Sequence, residues 1–292
     1  MTYMPRIQTF GRNAVRLNAR PGEFLDIQAI RAHAPAIFAE EPHSSRSERF
    51  AHIPTHDMLS ALMHEGFMPT GVAVGGSSDA DKRAHTKHMI RLRRVEHLGT
   101  RQGDVYPEVV LKNAHDGTSM YHLMFGLFRL VCMNGLVVAD GAVADVKVPH
   151  KGRAIDKVIE GSYSVIEHAG DVIENVQAMK AIELSPSEEK IFAKAALIAR
   201  FGEEVPDALR EDPTRVIEAR RFDDKGPDLW RVFNTAQENL IRGGISFDAV
   251  REVQGRRQVI HQTTRPVRSV DGDIKLNRAL WTLAEEMRAL KG

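Results

Sequence analysis

The sequence predicts an α+β protein: an antiparallel β-meander crossed by a long helix, followed by a helical C-terminal part. Three observations carry this reading. The longest apolar run, Ser119 to Val138, is interrupted by Asn134-Gly135 and holds Arg129 near its middle. Lys87 to Val95 alternates with a period of two, as a strand does. From Ile155 to Met179 the apolar positions instead recur at helical spacing.

In chain order, residues 1–54 read as a loosely organised N-terminal segment, with a short helix within Phe24–Phe38 and a polar, turn-rich stretch over Glu40–Phe50. Residues 55–184 form the predicted meander and long-helix core. Thr55–Glu65 reads as a helix capped by Thr55 or Asp57 and closed by Gly66. Strands follow at Phe67–Val74, Lys87–Val95 and Val105–Lys112. Pro107 argues that the third of these begins at, or runs along, a sheet edge. Asp116-Gly117 marks a hairpin turn, and Asn134-Gly135 marks another, because both residues of such a pair tolerate positive φ. Leu136–Val148 completes about five strands. Residues 185–292 form a helical region with a basic loop. Ser185-Pro186-Ser187-Glu188 is a capping box that opens a helix ending at Phe201-Gly202. Asp228–Arg242 is a helix ended by Gly243-Gly244, Arg251–Arg268 is the basic loop, and Ile274–Leu290 is the last helix.

The balance of charge selects no partner globally: the 292 residues carry a formal net charge of +1. One cysteine, Cys132, excludes a disulfide framework and fits a reducing cytoplasm, and its apolar surroundings suggest inert core rather than a nucleophile. No signal peptide or membrane span is expected, since His122, Arg129 and Asn134 interrupt the one long apolar run.

Four motifs carry a resemblance: Asp228–Gly244 (DLWRVFNTAQENLIRGG), Gly255–Gln258 (GRRQ), Leu276–Glu285 (LNRALWTLAE) and Phe128–Val138 (FRLVCMNGLVV). From about Thr55 onward the chain resembles the bacterial domain-of-unknown-function family of phage/plasmid-like proteins carried by mobile elements. Its expected architecture is also similar to that of single-strand annealing recombinases of the RecT/Redβ type. The resemblance implies a mobile-element context and no established catalytic residue.

Candidate chemistry is then local. Between Lys82 and Arg101 seven cations face only Glu96. On a pleated strand Lys87, Arg91 and Arg93 share one face, and with Arg94 and Arg129 they form a candidate groove for a phosphate backbone. The alternative is a solvated cationic face that blocks edge pairing. Arg256, Arg257 and Arg265 form a second basic patch, read as a nucleic-acid contact or a subunit interface. Asn234, Gln237, Glu238 and Arg242 share one helical face, read as an oligomer, capping or ligand surface. Nine of 13 histidines lie between His43 and His122. His52/His56 and His85/His88 have metal-compatible spacings, but no cysteine or carboxylate set accompanies them. No catalytic motif, cofactor or metal is expected. The reading is a cytoplasmic, non-enzymatic binder of single-stranded DNA, active in annealing and assembled as a homo-oligomeric ring or filament. The alternative is an antirestriction or host-defence antagonist that binds a host protein.

Overall fold

A computed structural model of the chain describes residues 5–10, 14–45, 52–98, 105–129, 134–138, 145–150, 153–253 and 256–291. It divides into two compact units: Met1–Gly170 with Arg268–Asp271, and Asp171–Val267 with Gly272–Gly292. The architecture is α+β, with an antiparallel meander and C-terminal helices.

In the first unit the strands are β1 (Arg6–Phe10), β2 (Ala14–Asn18), β3 (Phe67–Val74), β4 (His88–Arg94), β5 (Val105–Asn113), β6 (Tyr121–Arg129), β7 (Asn134–Val137) and β8 (Val146–Val148). They form one antiparallel sheet in chain order from β1 to β7, with β8 sharing the β7 edge of β6. The N-terminal segment expected to be loose therefore supplies two strands. β2 pairs β3 from Val15↔Val74 to Asn18↔Gly71, burying Leu17 completely. A helix, α1 (Ile27–His33), follows, capped by Asp26.

Two further expectations are corrected here. Asn134-Gly135 is not a turn but the start of β7, paired with Arg129 and Phe128. The connection before it, with Cys132, lies outside the described residues. Pro107 sits in an interior strand, not at an edge. Pairing between β4 and β5 stops at Leu92↔Val109, so no partner on that side needs an N–H from Pro107.

One face of the sheet lies under helices α2 (Thr55–His64) and α4 (Ala154–Glu167). Ile90, Leu111 and Leu123, aligned across three strands, form its core. A Cβ on Gly161 of α4 would stand 2.7 Å from Leu123 and 2.8 Å from Val146, so glycine sets how closely this helix approaches. The helical period that begins at Ile155 does not make one long helix. It breaks at His168, and α5 (Ala169–Ala181) begins beyond.

The opposite face was expected to be open and cationic. It is buried instead. Register aligns Asn18, Gly71 and Arg91 across β2–β4, and Tyr106, Phe128 and Gly135 across β5–β7. Arg91 and Arg93 are 6% and 2% exposed, and between them lies Glu108, which is 0% exposed. Arg93 donates to Glu108 Oε1 at 2.7 Å and Arg91 to Oε2 at 3.2 Å. The bulge at Thr70, between Pro69↔Leu92 and Gly71↔Arg91, aims its hydroxyl at the same Oε1, at 2.7 Å. Aromatic faces complete the shell, with the Arg93 guanidinium 3.8 Å from the Tyr106 ring centroid and that of Arg91 4.6 Å from Phe128.

This cluster also reports the sheet's curl. The Arg91 guanidinium occupies the space a Cβ would take on Gly71 of β3 and lies 2.8 Å from the Cβ position of Gly135 of β7. In a flat sheet those strands would be about 19 Å apart, at roughly 4.8 Å per strand. One side chain touches both because the meander curls around it.

Four α-helices and the rest of α5 organise the second unit around aromatic residues. The rest of α5 is followed by α6 (Pro186–Phe201), α7 (Asp207–Glu211), α8 (Leu229–Arg242) and α9 (Val270–Lys291, whose first two residues belong to the sheet unit). The expected capping box at Ser185 is present, and Gly243 and Gly244 end α8 at φ +69 and +83. Trp230 stacks on Phe233, which meets Trp281 of α9 edge-on. The sheet unit's α3 (Ala80–Arg83) is a single turn.

Removing the Glu108 charge would leave two buried guanidinium groups without their shared anion. Glu108→Gln is expected to lower the unfolding free energy by about 3–5 kcal/mol. Urea denaturation of the variant beside the parent chain checks this. For the same reason, charge reversal at both Arg91 and Arg93 is expected to unfold the protein.

Candidate functional site

The eight cations expected to hold nucleic acid fall into two groups. Arg91 and Arg93 belong to the Glu108 cluster. Arg129 is 5% exposed and engaged in the interior. Arg94 donates to Glu96 (2.7 Å), to the Glu65 carbonyl (2.8 Å) and to the Tyr163 hydroxyl (3.1 Å). Lys87 is bonded to Asp271 at 2.6 Å. The fold therefore gives Lys87, Arg91, Arg93 and Arg94 acceptors of their own and keeps Arg129 interior, so the five do not line one cationic groove. A strand's alternation shows which residues share a face, not whether that face meets water.

Arg257 and Arg265 are exposed, and Arg256 lies on the same element as Arg257. The expected basic loop is a two-stranded antiparallel ribbon, β9 (Ser246–Val253) with β10 (Arg256–Thr263). Its register runs from Ser246↔Thr263 to Val253↔Arg256, so the connection is only Gln254-Gly255. That sequence should have read as a hairpin, because a glycine-containing dipeptide separates two strand-like segments. Ile245 and Phe247 anchor the base, both 7% exposed. Beyond them Arg257, Gln258, Val259, His261 and Gln262 are exposed, Val259 at 71%. No third strand pairs with the ribbon among the described residues. Eight residues per strand extend it about 26 Å.

The polar face of α8 is interior. Asn234 donates to the Trp230 carbonyl (2.6 Å), and Gln237 donates to Asn277 Oδ1 (2.6 Å). Glu238 accepts two bonds from Arg221, both 2.5 Å, and pairs with Arg242 at 3.0 Å. Glu238 is 2% exposed, so this is a buried ion cluster, not a free ligand surface. Arg221, 17 residues away in sequence, is the partner that helical spacing did not reveal.

The histidines converge, but not in the expected pairs. His88 Nδ1 lies 2.9 Å from the Thr86 carbonyl and therefore donates. Its Nε2 then accepts from the Thr55 hydroxyl at 2.9 Å. Thr55 Oγ1 accepts in turn from Asn113 Nδ2 (2.9 Å) and from His115 Nε2 (3.0 Å). Asn113 Oδ1 accepts from His150 Nε2 at 2.9 Å. His52 meets His115 edge-on at 4.7 Å, and His150 stacks on Tyr121 at 4.6 Å. Thr55, expected as a helix cap, is thus the hub of this network. These bonds are compatible with neutral rings, while Nδ1 of His52 and of His115 is buried without a hydrogen-bond partner among the described residues. Burial pushes His88 down to about 4. Burial, followed by the neighbouring His88 and His52, takes His115 to about 2. No carboxylate orients a ring in this network, and among the described residues no three His, Cys, Asp or Glu are grouped to hold a metal. The arrangement seals the end of the sheet with polar groups.

Because the unfolded chain protonates these imidazoles first, their contribution to stability is present above about pH 6.5 and is lost as pH falls toward 4. Each contributes a slope of at most about 1.4 kcal/mol per pH unit. Urea midpoints measured at several values through this window are expected to fall with acidity, and His88→Gln is expected to flatten the fall.

No helix among the described residues is long and apolar enough to cross a membrane. The family model described as "Domain of unknown function (DUF932)" matches residues 42–281. The UPF0380 protein YafZ of Escherichia coli (strain K12) is 44% identical over 253 residues, covering 87% of this chain and 88% of the relative. The UPF0380 protein YfjQ of the same organism matches with the same identity and coverage. No solved structure matches. With β3 to β8, α8 and the start of α9 inside the matched span, the chain belongs to the DUF932 family.

Proposed function

We propose that the protein binds nucleic acid, with the β9–β10 ribbon as the contacting arm. One observation carries this reading: a two-stranded ribbon, exposed along most of Arg257–Thr263, whose segment Arg251–Arg265 holds four arginines against one glutamate in a chain of net charge +1. Arginine suits phosphate because its planar fork offers paired donors. A two-stranded ribbon has the dimensions of the duplex major groove. The exposed part of β10, Arg257–Thr263, has no Phe, Tyr or Trp on which unpaired bases could stack. The ribbon thus favours duplex backbone and groove over a single strand. Annealing on mobile DNA, which the resemblance to annealing recombinases implies, requires single strands to bind at least as well.

Fluorescence anisotropy with matched duplex and single-stranded oligonucleotides, across a salt series, tests the reading. Three or four phosphate contacts are expected to give a log–log salt slope of about −3 to −4. Arg256→Glu with Arg257→Glu is expected to weaken binding by roughly a hundredfold, about 2.7 kcal/mol, with an unchanged urea midpoint. Unchanged affinity would remove the ribbon from the contact. Tighter binding of the single strand would favour annealing.

A further inference from the structure

The sheet unit contains a cleft that the ribbon reading does not use. It lies between the Gly75–Ser77 turn, the start of the β5–β6 connection and the Arg268–Asp271 segment, with a volume of about 590 Å3. That is the scale of a small-molecule site. Besides glycine, Ala14 and Val270 are the only apolar residues among those that line it.

Charge is distributed unevenly around it. Lys82, Lys87 and Arg268 line the cleft, against the carboxylates of Asp116 and Asp271. Asp271 is shared by Lys87 at 2.6 Å and by Lys112, behind the wall, at 3.0 Å. Two ammonium groups on one carboxylate leave a cation in surplus. Burial opposes ionisation of Asp271, but the two lysines outweigh it and hold the carboxyl below its usual range. Lys82 has only a distant contact, 3.9 Å from Asp79. Arg268 is exposed and has no partner among the described residues. Asp116 is committed to its own turn, accepting from the Thr118 backbone and hydroxyl.

The remaining polar side chains of the wall are hydroxyls, from Ser77, Thr86, Thr118 and Ser269. They complement a polyhydroxylated ligand, and no aromatic residue is present to stack on a base. We propose that this cleft binds a small sugar phosphate: Lys82 and Arg268 take the phosphate, and the hydroxyl-bearing wall takes the sugar. Asp271 already shows this wall holding an anion, and Lys82, only 3.9 Å from Asp79, with exposed Arg268 leaves room for a second.

Isothermal titration calorimetry on the full chain tests this with ribose 5-phosphate, ribose and inorganic phosphate. Ribose 5-phosphate is expected to bind more tightly than either fragment. Lys82→Ala with Arg268→Ala is expected to weaken it at least tenfold at an unchanged urea midpoint, and Arg256→Glu with Arg257→Glu to leave it unaltered. Absence of binding, equal affinity for ribose or inorganic phosphate, or loss in the ribbon variant instead would overturn the assignment. The nucleic-acid reading stands or falls separately, because it is measured with oligonucleotides on the ribbon variant.

Discussion

The ionic contact of Glu108 with Arg91 and Arg93 is the constraint on which the sheet unit depends. A carboxylate with no solvent exposure needs charged donors, and guanidinium groups so deeply buried need an anion. Meeting both demands fixes other choices. Gly71 and Gly135 are open where Arg91 must lie, Thr70 bulges to reach the same carboxylate, and Tyr106 and Phe128 supply rings against the cations. The curl that draws β3 and β7 toward one side chain is the geometric expression of these contacts.

The other face answers a related problem without charge. At its end a threonine hydroxyl, an asparagine and three imidazoles exchange hydrogen bonds in a sequence that leaves each ring neutral. The depressed His88 and His115 follow from that burial. One sheet thus carries a fixed-charge cluster on one side and a proton-sensitive one on the other.

The helical unit repeats the pattern. Glu238 on α8 is enclosed by Arg221 and Arg242, and Gln237 reaches Asn277 on α9. With so many cations satisfied internally, those left to solvent are informative. Exposed Arg257 and Arg265 and the cations around the sheet-unit cleft remain available where Arg91, Arg93 and Arg129 are not. A near-neutral chain can therefore present local positive fields through the charges its core does not consume.

Much of the fold was legible in the residues because it rests on local rules. Period two marked β3 to β6, the Ser185 box and the Gly243-Gly244 pair bounded helices, and Asp116-Gly117 turned a hairpin. These depend on backbone geometry within a few residues. The candidate site was legible only in part. The basic stretch around Arg256 was visible, but its ribbon form was not recognised, and Arg91, Arg93 and Glu238 looked like surface charges. Their fate was set by partners distant in sequence: Glu108 is 15 residues from Arg93, Arg221 is 17 from Glu238, and Thr55 is 60 from His115. Sequence alone marked β3 to β6, the helix boundaries at Ser185 and Gly243, and which residues of a strand share a face. Only tertiary structure decided whether a face met water or another layer, because burial of a charge depends on where its counter-charge arrives in space.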